Sequence, residues 1–130
     1  MTKVVILCGG KGTRIGHETR YKPKPMIKID NKPIIWHVMK IFKHYGYNDF
    51  ILSAGYKNKM IKNFFKNSKE FNVKVVNTGI NTETGGRILL LKKYIKDKHF
   101  FMTYGDGISD VNIRKLFNYH LKNKGIATLT

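Results

Sequence analysis

The sequence predicts an α/β fold on a mostly parallel sheet, and three observations carry that expectation. Short apolar runs such as Val4–Cys8 and Phe50–Ala54 end directly in glycine, as buried strands do where they feed tight loops. Segments whose apolar residues return at helical spacing lie between those runs, Ile34, Ile35, Val38, Ile41 and Phe42 being the clearest. The two kinds of segment alternate along the chain, the signature of βα units rather than of an all-β or all-α domain.

In order, the first strand is Val4–Cys8, followed by a glycine-bearing loop to about Lys24. Met26–Ile29 is a short strand candidate, and Asp30-Asn31-Lys32 is a turn. Pro33 suits the first turn of a helix that runs through His44 and closes at Gly46. Phe50–Ala54 is the next strand. Lys57–Lys66 reads as a basic amphipathic helix with Met60, Ile61, Phe64 and Phe65 inward. Val73–Val76 is a strand, Thr78–Gly86 a polar loop, and Arg87–Ile95 a helix with Ile88, Leu91 and Ile95 on one stripe. His99–Thr103 is a strand running into Gly105-Asp106-Gly107. Ser109 or Asp110 caps a helix through Val111–Leu121. Ala127–Thr130 begins another strand, so the chain is expected to be part of a longer domain.

The 130 residues suffice for one domain with a real core. No apolar stretch approaches the roughly 20 residues of a membrane span, and the apolar run after Lys3 is too short for a signal peptide. The single cysteine, Cys8, excludes an internal disulfide and suits a reducing cytoplasm. At the end of a buried strand it reads as a small core residue. The net charge of +17 favours anionic partners. Its lysines are scattered, and no basic–aromatic motif accompanies them, so the charge reads as a solvated surface rather than as nucleic-acid recognition.

Gly9-Gly10-Lys11-Gly12-Thr13-Arg14 is the first candidate site. Its glycines let bare N–H groups approach an anion, and Arg14 offers a guanidinium to phosphate. The dinucleotide fingerprint fails at Ile15, where a third glycine is required. The Walker loop fails because Gly12, not Ser or Thr, follows Lys11. Phosphate binding and a plain strand-to-helix turn both fit the loop. Lys24, between Pro23 and Pro25, is expected in extended backbone. It is either a cation presented to a phosphoryl group or part of a rigid surface loop. Asp106, just past a strand's carboxyl end, suits Mg²⁺ held on substrate phosphates, or merely a Gly-Asp-Gly turn. Thr82 through Arg87 open a helix, where free N–H groups and Arg87 could meet a base or phosphate, or simply cap the helix. Glu83 reads as a first-turn acid that complements the helix dipole. The histidines His17, His37, His44, His99 and His120 show no metal-ligand spacing.

Gly-Gly-x-Gly-Thr-Arg, then Pro23-Lys24-Pro25, then a strand ending Tyr104-Gly105-Asp106-Gly107, taken in order, resemble the sugar-phosphate nucleotidyltransferases. Lys22-Pro23-Lys24-Pro25-Met26, Lys32-Pro33-Ile34-Ile35-Trp36-His37, Gly55-Tyr56-Lys57, Thr84-Gly85-Gly86-Arg87 and Phe101-Met102-Thr103-Tyr104-Gly105-Asp106-Gly107 point to the glucose-1-phosphate cytidylyltransferase branch. The resemblance covers essentially the whole chain. It implies a Rossmann-like three-layer α/β/α fold of the nucleotide-diphospho-sugar transferase type. Residues 1–130 would be its N-terminal, nucleotide-binding part, with the sugar-binding part and a second metal-binding aspartate lying beyond. It implies that CTP and a sugar 1-phosphate, glucose 1-phosphate first, give a CDP-sugar and pyrophosphate by in-line displacement with Mg²⁺. Another NTP and sugar phosphate, or a non-catalytic nucleotide-binding module, are the alternatives. Leu7, Cys8, Gly9, Gly10, Lys11, Gly12, Thr13 and Arg14 would wrap the nucleotide, with Lys24 bridging phosphates. Thr82 and Arg87 would contact the nucleotide, Gly105 would approach the nucleoside through its backbone, and Asp106 would hold the metal. Arg14, Lys24 and Asp106 are the catalytic set so implied. A cytoplasmic enzyme supplying nucleotide sugars for cell-surface polysaccharide is the expected setting, with a homo-oligomer left open.

Overall fold

The computed structural model describes the backbone of residues 1–130 and every side chain but that of Ile15. In chain order its elements are β1 (Val4–Cys8), the short strands β2 (Lys28–Ile29) and β3 (Lys32–Pro33), α1 (Ile34–His44), β4 (Asp49–Ala54), α2 (Asn58–Phe65), β5 (Asn72–Asn77), α3 (Thr84–Leu91), β6 (Phe101–Tyr104) and α4 (Ile113–Asn123). The main sheet runs β5-β4-β1-β6 in space, every pair parallel. β1 lies inside the sheet and is buried on both faces, which is why its sequence is continuously apolar rather than alternating.

Alternate residues of the strands feed two cores. Val4, Ile6, Phe50 and Leu52 face a large cluster with Ile35, Val38 and Met39 of α1, Ile61 and Phe65 of α2, and Ile113 of α4. Val5, Leu7 and Ile51 face the other way, onto Leu91 of α3. Helices therefore cover both faces, and the expected three-layer α/β/α arrangement with a parallel sheet is present. β2 and β3 form a hairpin whose two turn residues, Asp30 and Asn31, take positive φ of 49° and 64°, the pattern of a type I′ turn.

Several boundaries differ from the sequence expectation. Lys24 is not extended. It opens a single 3₁₀ turn, Lys24–Met26, closed by Met26 N–H to the Pro23 carbonyl at 2.8 Å, because burial of Pro25 and Met26 pulls the chain inward. The strand expected at Met26–Ile29 shrinks accordingly to Lys28–Ile29. Pro33 precedes α1 as its N-cap rather than lying in its first turn. In α2 only Ile61 and Phe65, four residues apart, reach the core, while Met60 and Phe64 turn outward. Helix α3 starts three residues early and stops at Leu91, where a 3₁₀ turn, Lys92–Tyr94, takes over. Gly85 and Gly86, which argued against helix, sit in its tolerant first turn. Asn112, not Ser109 or Asp110, caps α4, its side chain accepting the Lys115 N–H at 3.0 Å. Ala127–Thr130 forms no strand, since none of the ladders extends to it.

Candidate active site

The chain leaves β1 toward β4 and β5 on one side and returns to β6 on the other. Strand order therefore reverses between β1 and β6, the place where open α/β sheets hold ligands. A cleft of about 740 Å³ opens there. Its floor is the end of β1, where Leu7 accepts the Gly105 N–H at 2.9 Å and so extends the pairing with β6. One wall is the loop Gly9–Arg14. The opposite wall is Ile80–Thr84, leading into α3. Lys24, Pro25, Tyr104 and Asp106 close the third side. Of the residues expected at a site, Leu7, Cys8, Gly9, Gly10, Lys11, Gly12, Thr13, Arg14, Lys24, Thr82, Arg87 and Asp106 all line this one cleft. Gly105 lies just beneath, buried against Pro25 and Cys8, where a Cβ would come within 3.0 Å of Pro25.

Lys24 and Asp106 meet at the mouth, Nζ to Oδ2 at 2.5 Å, both side chains partly exposed. The 3₁₀ turn directs Lys24 there, and the end of β6 supplies Asp106. Lys11 and Arg14 stand exposed on the loop and make no ion pair among the described residues. The cleft thus presents two exposed cations without an ion pair, the buried Arg87 and one ion pair, with Glu83 as its other carboxylate. That balance attracts a polyanion. Gly12 adopts φ 62°, a left-handed conformation that glycine takes without strain, and packs against Lys24 and Thr19. Tyr56 anchors the loop from β4's side. Its N–H donates to the Gly9 carbonyl at 3.1 Å and its hydroxyl to the Thr19 carbonyl at 2.8 Å.

Two expected nucleotide contacts have other partners. Arg87 is buried, 6% exposed, and its guanidinium donates to the Thr78 hydroxyl at 2.7 Å and to the carbonyls of Gly9 at 3.3 Å and Ile80 at 3.4 Å. It lines the cleft from beneath the glycine loop. The Thr82 hydroxyl donates to the Thr78 carbonyl at 2.5 Å, leaving its oxygen to accept from the cleft. Cys8 is a core residue as expected, its thiol donating to the Ser53 carbonyl at 3.3 Å. Burial pushes that thiol up to about 12, Arg87 pulling more weakly the other way, so it stays protonated at neutral pH. The native chain is expected to resist a thiol reagent at pH 7.5 and to react once unfolded. Rapid labelling of the native chain would show that the end of β1 opens.

Thr78 and Tyr56 were missed as site-supporting residues, because their positions follow from contacts between β4, β5 and the first loop. The histidines also differ from expectation in one respect: His99 Nδ1 and His120 Nε2 lie 3.0 Å apart, with the Thr128 hydroxyl 2.9 Å from His120 Nδ1. They join the start of β6 to α4, and no group of three or more metal-ligating side chains exists among the described residues. Among the described residues no helix is long and apolar enough to cross a membrane.

Residues 3–130 match the nucleotidyl transferase family. The chain is 42% identical to a probable glucose-1-phosphate cytidylyltransferase of Bacillus subtilis, with 98% of this chain and 59% of that protein covered. It is 40% identical to the glucose-1-phosphate cytidylyltransferase of Salmonella typhimurium, with the same coverage of each. The chain thus spans about 59% of the length of these relatives. The crystal structure of HddC from Yersinia pseudotuberculosis complexed with GMP-PN superimposes with a TM-score of 0.79 at 33% identity, over 93% of this chain and 55% of that one. Parallel sheet, glycine-lined cleft and sequence similarity together place the chain: it belongs to the nucleotidyl transferase family.

Proposed function

We propose that this chain provides the nucleotide-binding part of a nucleotidyltransferase that joins CTP and a sugar 1-phosphate, glucose 1-phosphate first, into a CDP-sugar with release of pyrophosphate. The observation that carries the reading is the meeting of Lys24 and Asp106 at the mouth of a cationic, glycine-walled cleft at the sheet's switch point. The relatives' names supply the nucleotide and the sugar. In-line attack of a sugar phosphate oxygen on the α-phosphorus needs no covalent enzyme group, so positioning and charge stabilisation suffice. The Gly10–Arg14 backbone and Arg14 hold the triphosphate. Lys24 moves from Asp106 to the phosphates and offsets the negative charge that builds there. The Ile80–Thr84 wall flanks the nucleoside.

Magnesium fits the residues present. A single partly exposed carboxylate is a poor site for a bare dication, but Mg²⁺ is commonly held by one or two carboxylates together with substrate phosphates. Asp106 would hold it, and the ion would supply charge neutralisation on the phosphates. The cytoplasm, where CTP is available, is the compartment this reading requires.

A guanine nucleotide is the second reading, favoured by the 33% identical structure complexed with GMP-PN. Titration of the chain with CTP, UTP, GTP and dTTP, each with Mg²⁺, while pyrophosphate release is followed with glucose 1-phosphate present, tests both. CTP-selective binding is expected; pyrophosphate release with it would show that this part suffices for turnover, and binding without release would show a nucleotide-binding part that needs the rest of the enzyme. GTP-selective binding would shift the assignment to the second reading, and no binding of any nucleotide would overturn both.

A further inference from the structure

The buried guanidinium of Arg87 makes no ion pair with a carboxylate among the described residues. A buried charge held only by hydrogen bonds has to be positioned accurately, because any donor left unpaired costs the full desolvation of that group. Its partners lie on both sides of the cleft: the Gly9 carbonyl on the glycine loop and the Ile80 carbonyl on the opposite wall. Between them sits Thr78, 2% exposed and outside the cleft lining, whose hydroxyl accepts from Arg87 Nη1 at 2.7 Å. The same hydroxyl donates to the Ala54 carbonyl at 3.0 Å and lies 2.9 Å from Ser53 Oγ. Its single proton goes to Ala54, so its lone pairs receive Arg87 and Ser53. Thr78 thereby fixes the guanidinium to the end of β4.

The surrounding backbone is packed to this arrangement. A Cβ on Gly9 would stand 2.0 Å from Arg87 Nη1, and one on Gly55 would stand 2.2 Å from the Gly79 carbonyl and 2.8 Å from the Gly9 carbonyl. A Cβ on Gly55 would also stand 3.1 Å from Arg87 Nη1, so Gly9 and Gly55 form a socket around one guanidinium. We infer that Thr78 is a positioning residue for nucleotide binding: acting through Arg87, it sets the separation of the glycine loop from the Ile80–Thr84 wall. This rests on the cleft being the nucleotide site. It assigns Arg87 to holding the two walls rather than to reading the base.

The consequence is specific. A brace shared by both walls affects every nucleotide alike, whereas a base contact affects one nucleotide over another. Thr78→Val keeps the shape and removes the hydroxyl, and Thr78→Ser keeps the hydroxyl. With Thr78→Val, affinity for CTP, UTP and GTP is expected to fall by a common factor of about ten or more, with their ratios unchanged. Thr78→Ser should restore it. Arg87→Lys, which cannot span both walls, should behave as Thr78→Val does, and the double variant should be no worse than the singles. Amide exchange of Tyr56, whose N–H donates to the Gly9 carbonyl, should accelerate in Thr78→Val without any nucleotide present. If Thr78→Val fails to fold, Arg87→Lys supplies both measurements. Unchanged affinity with only a lower melting temperature would overturn the proposal, as would a changed ratio among nucleotides. If the wild type binds no nucleotide, the nucleotide reading fails, and the brace is judged alone by Tyr56 exchange, where an unchanged rate overturns it.

Discussion

Replacing Lys24 by alanine is expected to lower pyrophosphate release from CTP and glucose 1-phosphate by about 10²–10³-fold, the usual effect of removing one preorganised charge-stabilising donor. The argument starts from the ion pair. Lys24 and Asp106 neutralise each other in the free chain, at the one edge of the cleft where β6 and the 3₁₀ turn converge. When a triphosphate enters, its negative charge competes with the carboxylate for the ammonium, and charge that grows on the leaving phosphates strengthens that competition. Lysine is suited to such a move, since its point charge on a flexible stem needs no fixed partner geometry. The fold should be indifferent. Alanine keeps the Cβ that packs on Gly12, and the ammonium it removes is 37% exposed, as part of the side chain, so its loss is screened by solvent. Initial rates measured beside melting temperatures separate the two effects. Affinity for CTP with Mg²⁺ should fall by about tenfold as a charge-assisted hydrogen bond is lost. Rates within twofold of wild type would remove Lys24 from the machinery, and an equal loss of melting temperature would make it a structural residue.

The sequence was most legible where one physical cause acted alone. Val4–Cys8 is apolar on both faces because it lies inside a parallel sheet, and nothing else in the chain competes for that pattern. The turn at Asp30 and Asn31 was readable because both residues tolerate positive φ, whereas the pairing of Lys32–Pro33 with Lys28–Ile29 was not. Boundaries failed where tertiary burial opposed local preference. The prolines around Lys24 argued for extension, yet burial of Pro25 and Met26 made a 3₁₀ turn. Gly85 and Gly86 argued for loop, yet they lie in the first turn of α3, where helix geometry is weakly tested. The site residues were legible as a set and illegible as a geometry. The sequence marks Lys24 and Asp106 separately, but only the strand order β5-β4-β1-β6 brings them to one edge. Arg87 shows the same limit more sharply. An arginine after two glycines at a helix start reads as a ligand contact, and its burial against Thr78 depends on β5 ending beside β4.

Gly9→Ala and Gly10→Ala should have opposite consequences, although the sequence gives the two glycines the same apparent purpose. At Gly9 the new methyl group would lie 2.0 Å from Arg87 Nη1 and 2.5 Å from its Cζ. A flexible surface side chain would move aside, but this guanidinium is buried and held by Thr78 and two carbonyls, so any retreat breaks hydrogen bonds to a buried charge. Overpacking together with those losses is expected to cost about 3 kcal/mol or more. For a domain of this size that corresponds to a fall in melting temperature of roughly 10 °C or more. At Gly10 no atom of the described residues lies within 4 Å of where a Cβ would stand, and its φ is not positive, so alanine should leave the melting temperature nearly unchanged. What the methyl group would occupy there is open cleft, where the loop's bare backbone meets the triphosphate in the proposed complex. Gly10→Ala is therefore expected to weaken CTP binding by about tenfold or more with the fold intact, through lost close approach of phosphate to backbone N–H groups. Thermal unfolding and nucleotide titration of the two variants decide the matter together. Wild-type stability in Gly9→Ala would mean that Arg87 yields easily and does not brace the loop. Wild-type affinity in Gly10→Ala would mean that the phosphates lie elsewhere in the cleft. Only the crossed result, stability lost in one and affinity in the other, agrees with a loop whose first glycine serves the protein and whose second serves the ligand.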